Sequence, residues 1–168
     1  MGNCGEKWRE YLIRNFEPMT PETPDRPFYS GTFERTLDAK NRVAVPAAWV
    51  SGEDVEFFVV PHPVDGQLMV MPQAELRATE QQIKDSGIAP HEKRMAIRQF
   101  LGAAHRVLTD KQGRILIPDT HAASAGISGE IVFVGAGGRF EIWSKDRHSA
   151  NQPATLEAYK RVTFEIGL

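Results

Sequence analysis

Leu37-Asp38-Ala39-Lys40-Asn41-Arg42-Val43-Ala44-Val45-Pro46 and Thr109-Asp110-Lys111-Gln112-Gly113-Arg114-Ile115-Leu116-Ile117-Pro118 are two versions of one stretch. Asp, Arg and Pro recur at identical spacing, displaced by 72 positions (110 − 38). In both versions strand-like residues stand on either side of three intervening ones, so those three form a tight connection. Asn41 and Gly113 hold matching places, and Asn and Gly best tolerate the positive φ that a hairpin connection demands. Asp38 and Arg42 then flank one turn closely enough to brace it as an ion pair, and Asp110 and Arg114 flank the other.

The repetition extends beyond the motif. Each Pro is suited to open a short helix, over about 46–50 and 118–125, with Gly52 and Gly126 where helices commonly stop. Two apolar strands follow in each case, 55–60 and 68–71 around Asp65-Gly66, then 131–134 and 140–143 around Gly135-Ala136-Gly137-Gly138. A motif, a helix and two strands recurring in order mark an internal duplication. Between the copies the spacing predicts a helix over 73–84, ended by Ser86-Gly87. A second helix opened by Pro90 has Met95, Ile97, Phe100, Leu101 and Ala104 as its apolar positions. Glu92, Lys93, Arg94 and Arg98 form its solvated face. The chain therefore divides into an extension over 1–27, a first unit over 30–76, a helical connector over 77–103, a second unit over 104–147 and a tail over 148–168.

The two ends are less informative. Trp8, Tyr11, Leu12 and Phe16 fall at helical spacing ahead of Pro18, Pro21, Pro24 and Pro27, a linker composition. The segment reads as a flexible extension, with a helix docking on a neighbouring subunit or partner as the alternative. Leu156, Tyr159 and Phe164 leave a last helix open in a weakly patterned tail.

Composition sets outer limits. With 168 residues, 41% of them hydrophobic, the chain can bury a core. Its formal net charge of −2 gives no overall attraction to nucleic acid, so any such role must come from local clusters. A single cysteine, Cys4, excludes an intrachain disulfide and a cysteine-rich zinc site. No apolar run approaches the roughly 18 residues of a membrane span. Met1-Gly2-Asn3-Cys4 has Glu6 where myristoylation wants Ser or Thr. The expectation is a protein of the cytoplasm, with no membrane partner and no cofactor.

Local charge is where the motif becomes functional. An exposed ion pair stabilises little, so stability alone is a weak reason to repeat it. An Arg projecting from a rigid hairpin, in contrast, grips phosphate or guanine with its planar fork. Arg35 and Lys40 enrich the first loop, and Arg106 and Lys111 the second. Arg35, Lys40, Arg42, Lys111 and Arg114 are the candidate DNA contacts, with Asp38, Asn41, Asp110 and Gly113 bracing their loops.

The two Asp-x-x-x-Arg units, the second ending Gly-Arg-Ile-Leu-Ile-Pro, resemble the MraZ family. So do Phe100-Leu101-Gly102-Ala103-Ala104 and the closing Val134-Gly135 and Arg139-Phe140-Glu141-Ile142-Trp143. The resemblance covers about residues 30–147 and implies an α+β fold of two AbrB-like, swapped-hairpin repeats forming a pseudo-twofold barrel with connecting helices. It further implies a ring-shaped homo-oligomer, associated with the nucleoid, that binds direct repeats in double-stranded DNA. The regulated genes would be the division and cell-wall cluster, usually repressed. Arg42 and Arg114 match the Arg of the family's two loops, and Lys40 a basic loop position. Gln112 replaces that cation in the second copy, and Asn41 stands where the family usually has Gly.

Other chemistries fit less well. Paired aspartates in duplicated halves suggest an aspartic protease, but Asp38-Ala39-Lys40 and Asp110-Lys111-Gln112 lack the Asp-Thr/Ser-Gly pattern, and the adjacent cations would keep both carboxylates ionised. Gly135 to Gly138 lies between strands without the Lys-Ser/Thr of a phosphate loop. His62, His91, His105, His121 and His148 show no metal-ligand spacing. An AbrB-like antitoxin or scaffold acting through a protein partner is the second reading.

Overall fold

The structure is a computed structural model and describes residues 27–50 and 52–168; the amphipathic stretch expected near the N-terminus lies outside the described residues. Among the described residues, eight strands and four helices follow one another as β1 (Thr32–Thr36), β2 (Arg42–Ala44), β3 (Glu56–Pro61), β4 (Leu68–Met71), α1 (Gln73–Asp85), α2 (Pro90–Ala103), β5 (His105–Leu108), β6 (Arg114–Leu116), α3 (Asp119–Ser124), β7 (Glu130–Gly135), β8 (Phe140–Ser144) and α4 (Lys145–Ile166).

Six strands make one antiparallel sheet in the order β1-β7-β8-β4-β3-β5, and β2 and β6 pair separately as a two-stranded ribbon. The order is palindromic once each strand is exchanged for its counterpart in the other copy. The copies trade outer strands: β1 pairs with β7 of the second copy, and β5 with β3 of the first. At the centre β4 meets β8, with Leu68 opposite Ile142 and Val70 opposite Phe140.

The central strands explain the two-layered core. All of Leu-Met-Val-Met in β4 is buried, as expected of a strand covered on both faces. Leu68 and Val70 point with Phe57, Phe140, Ile142 and Phe133 into the larger cluster, which the ribbon closes with Val43, Ile115 and Ile117. Met69 and Met71 face the other way and pack with Val60, Leu76 and Phe100 beneath α1 and α2. Gly135 permits a close approach of two backbones: a Cβ there would lie 2.5 Å from Ser30 Cα, where the incoming chain crosses β7.

Three expectations change. The sheet does not close into a barrel: β1 and β5 are its two edges, and the ribbon, only three residues per strand, hydrogen-bonds within itself and between its flanks. The short helix expected at 46–50 is a turn, closed by Trp49 N–H donating to Pro46 O at 2.9 Å. In the first copy Gly52 follows Pro46 by only six positions (52 − 46), whereas Gly126 follows Pro118 by eight (126 − 118) and leaves room for α3. The tail is a 22-residue helix that runs through Pro153, started by the Ser144 hydroxyl accepting from Arg147 N–H. It buries no residue, so no core-facing period marked it in the sequence.

Candidate nucleic-acid interface

Each Asp-x-x-x-Arg loop is built from the carboxylate outward. Asp38 Oδ1 accepts from Lys40 N–H at 2.8 Å and Arg42 N–H at 2.9 Å, while Oδ2 accepts from Arg42 Nε at 2.8 Å. Asp110 repeats the pattern with Gln112 N–H at 2.9 Å, Arg114 N–H at 2.9 Å and Arg114 Nε at 2.8 Å. The backbone closes the same way in both, Asp38 N–H to Arg42 O and Asp110 N–H to Arg114 O. Asn41 sits at φ 56° and Gly113 at φ 71°, the left-handed conformation that the matching positions demanded.

The electrostatics follow from these bonds. The backbone N–H of Arg42 does most to hold Asp38 below the usual carboxylate range, against partial burial, with Lys40 N–H and the Arg42 guanidinium adding to it. Asp110 is lowered by the N–H of Arg114 first, then by its guanidinium and by Gln112 N–H. Each Arg spends its Nε on the brace. That bond restrains the plane of each guanidinium and leaves its Nη groups outside the brace.

The ribbon then brings the loops together. Arg42 lies opposite Leu116, Val43 opposite Ile115 and Ala44 opposite Arg114. Residues directly opposite share a face and alternate ones return to it, so Arg42 and Arg114 occupy one face of the ribbon. Val43 and Ile115 occupy the other and are buried at 1% and 0% exposure. The two sites touch electrostatically, with Arg114 Nη1 4.0 Å from Asp38 Oδ2. Lys40 and Lys111 are exposed at the turns. Lys40, Arg42, Lys111 and Arg114 therefore stand against the carboxylates of Asp38, Asp110 and Asp119, a local excess of cations on a chain whose net charge is −2.

Two arginines expected near the loops are elsewhere. Arg35 is on edge strand β1, opposite Ile131; its guanidinium donates to Glu34 O and lies 5.7 Å from the Phe33 ring centroid. Arg106 is on β5 and is paired with Glu56. One loop residue was missed by sequence reasoning. Asn41 Nδ2 donates to Asp119 Oδ1 at 2.6 Å, across 78 positions of chain. Asp119 opens α3 right after the repeated Pro, but nothing local links it to Asn41. Among the described residues no group of three His, Cys, Asp or Glu side chains is placed to hold a metal ion, and no helix is long and apolar enough to cross a membrane.

Comparison with known proteins bears on this arrangement. The transcriptional regulator MraZ of Carboxydothermus hydrogenoformans is 37% identical over 138 residues, 82% of this chain and 96% of that protein. The transcriptional regulator MraZ of Desulforamulus reducens is 36% identical over 132 residues, covering 77% and 92%. That of Clostridium acetobutylicum is 34% identical over 119 residues, covering 71% and 83%. The chain belongs to the MraZ family. The MraZ protein family, antitoxin-like by its description, matches residues 100–158. In this MraZ chain that span runs from the end of α2 through the second Asp-x-x-x-Arg loop into α4.

Proposed function

We propose that this chain is a sequence-specific regulator of transcription that grips double-stranded DNA with the exposed face of the β2–β6 ribbon. The observation that carries the reading is the placement of Arg42 and Arg114 on one ribbon face, each held by the same carboxylate brace. A two-stranded ribbon fits the major groove, and a guanidinium fork held in one plane matches the two acceptors of guanine. Lys40 and Lys111 supply flanking phosphate contacts, and Arg35 an outlying one from the edge strand. The names of the relatives agree with a regulator.

The finer parts of the proposal are these. The exchanged strands and the ribbon are two AbrB-like repeats within one chain, organised as the units 30–76 and 104–147. Copies close into a ring through open sheet edges and exposed helices. The ring engages direct repeats upstream of the division and cell-wall genes and represses them in the cytoplasm, at the nucleoid. Several subunits on adjacent repeats raise one another's effective concentration, so a modest single contact becomes firm binding overall.

A gel shift with the DNA just upstream of the protein's own gene tests the reading. The wild type retains that DNA and loses it steeply with added salt. Arg42→Ala abolishes retention while light scattering shows unchanged assembly. Wild-type affinity in Arg42→Ala overturns the proposal. One observation favours a second reading as an AbrB-like antitoxin or scaffold: Leu156, Tyr159 and Phe164 of α4 are exposed. A stoichiometric protein partner, with no DNA binding, would identify that role.

A further inference from the structure

We infer that Asn41 is a specificity-determining residue of the first loop, presenting a hydrogen-bond acceptor to a base edge, and that Asp119 is the residue that positions it. The inference rests on the DNA-binding reading above and names a base-reading group that the arginines do not supply.

The argument starts from an asymmetry. The backbone of each loop tip is clasped by the other copy: Asn41 O accepts from Ile117 N–H at 2.9 Å, and Gly113 O accepts from Val45 N–H at 3.0 Å. Only the first tip has a side chain. Its amide nitrogen donates to Asp119 Oδ1 at 2.6 Å. The counterpart of Asp119 in the first copy is Ala47 (119 − 72), facing a Gly113 with nothing to offer. The tip residue of the first loop is therefore held to the other copy by backbone and side chain, and that of the second by backbone alone.

The partner's chemistry fixes which way the amide faces. An ionised carboxylate only accepts, so the NH₂ must face Asp119, and the alternative flip would set two acceptors against each other. Asn41 Oδ1 is then the group left over. Among the described residues it has no hydrogen-bond partner, and it belongs to the tip of a loop whose neighbours Lys40 and Arg42 are donors only.

A base edge with an exocyclic amino group is the complement of that acceptor. In the major groove these are the N4 amino of cytosine and the N6 amino of adenine; guanine and thymine show acceptors there. An unconstrained Asn reads adenine with both ends of its amide. Here one end is committed to Asp119, so discrimination is between amino-bearing and keto-bearing bases. The two loops then read differently: the first combines the Arg42 fork with an acceptor, and the second has the Arg114 fork alone. A DNA element read this way is asymmetric despite the pseudo-twofold protein.

The test is selection from a library of randomised duplexes, comparing wild type with Asn41→Gly, with Asp119→Ala, and with the exchanged pair Asn41→Asp plus Asp119→Asn. Wild type should enrich a motif in which one position excludes guanine and thymine by about 5-fold or more, in the range of single base contacts. Asn41→Gly should lose the preference at that position alone. Asp119→Ala should relax it, because the amide is free to turn. The exchanged pair should restore it, because the acceptor returns to the loop tip with its donor partner at 119. In parallel, the side-chain amide signals of Asn41 in heteronuclear NMR of the free protein should move in Asp119→Ala. An unchanged motif in Asn41→Gly overturns the inference while leaving the DNA-binding reading intact. Failure of wild type to enrich any motif overturns both, and unmoved amide signals in Asp119→Ala overturn the positioning role of Asp119.

Discussion

The two copies of the repeat use the same loop and different supports around it. Asp38 and Asp110 brace their arginines with the same bonds at nearly the same lengths. Around that constant centre the first copy places Trp49 where the second has His121 (121 − 72). Trp49 inserts among Tyr29, Phe33, Phe133 and Phe140, with ring centroids 5.0 to 6.1 Å away, and its Nε1 donates to Ser30 O. His121 instead bonds Ala103 O at 2.8 Å and lets α3 cap the end of α2. The loop geometry is thus constant between the copies, and the packing behind it is what differs.

The largest effect is expected where the copies differ most. Trp49→Ala should cost about 3 kcal/mol, the lower end for deleting a buried aromatic since Trp49 is only half-buried. His121→Ala should cost about 1 kcal/mol, the scale of one net hydrogen bond. Urea unfolding of both variants checks this, and equal costs would erase the distinction between aromatic plug and helix.

DNA affinity comes next. Arg42→Ala should weaken binding by about 100-fold, enough to lose retention in the gel shift, because Lys40 flanks it where the second loop has the uncharged Gln112. Arg114→Ala should weaken it by about 10-fold. Equal losses in a titrated gel shift would mean that both loops read DNA as one surface.

A smaller effect separates the braces. Asp110→Ala should lower the thermal midpoint more than Asp38→Ala, because the first loop keeps its Asn41–Asp119 bond. Both carboxylates are held below their usual range, so their stabilisation is complete above the ordinary carboxylate value. It is lost only as pH falls through the lowered values, and the loops should stay ordered in mild acid. Calorimetry of the two variants across that range decides it.

The smallest effect concerns a group the second copy lacks. Burial of Tyr29 pushes its hydroxyl up to about 12. A raised value stabilises fully below the ordinary tyrosine range, near 10, and is lost as pH rises toward the folded value. Stability should therefore decline between these limits. Tyr29→Phe should match wild type at neutral pH and remove that part of the alkaline decline.

The loops and the duplication were legible because they are local. Asp, Arg, Pro and a residue tolerant of positive φ lie within nine positions, and each constrains the others through the backbone. The sheet order was not legible. Strands such as Glu56–Pro61 and Glu130–Gly135 carry similar apolar patterns, and no pattern says whether β1 belongs with its own copy or the other. Pairing of Thr32 with Val134 is decided by the shared core. The sequence misplaced Arg106 among the loop cations because nearness along the chain stood in for direction. It lies next to Val107, which faces the core, so it points away on the opposite side of β5. Asp119 escaped because side-chain partners 78 positions apart leave no trace in spacing.

The traded outer strands also set the order of events at the ribosome. β1 cannot find its partner until Val134 has been made, 102 residues after Thr32 (134 − 32). At ~5–20 residues per second the wait is roughly 5–20 s, with an open strand edge on the nascent chain throughout. Ribosomes in file on one message hold several such chains at once, each displaying the edge that a neighbour's newly emerged β7 can capture. Slower translation between Thr32 and Val134 should therefore lengthen the time in which chains can pair wrongly, whatever the stability of the finished protein.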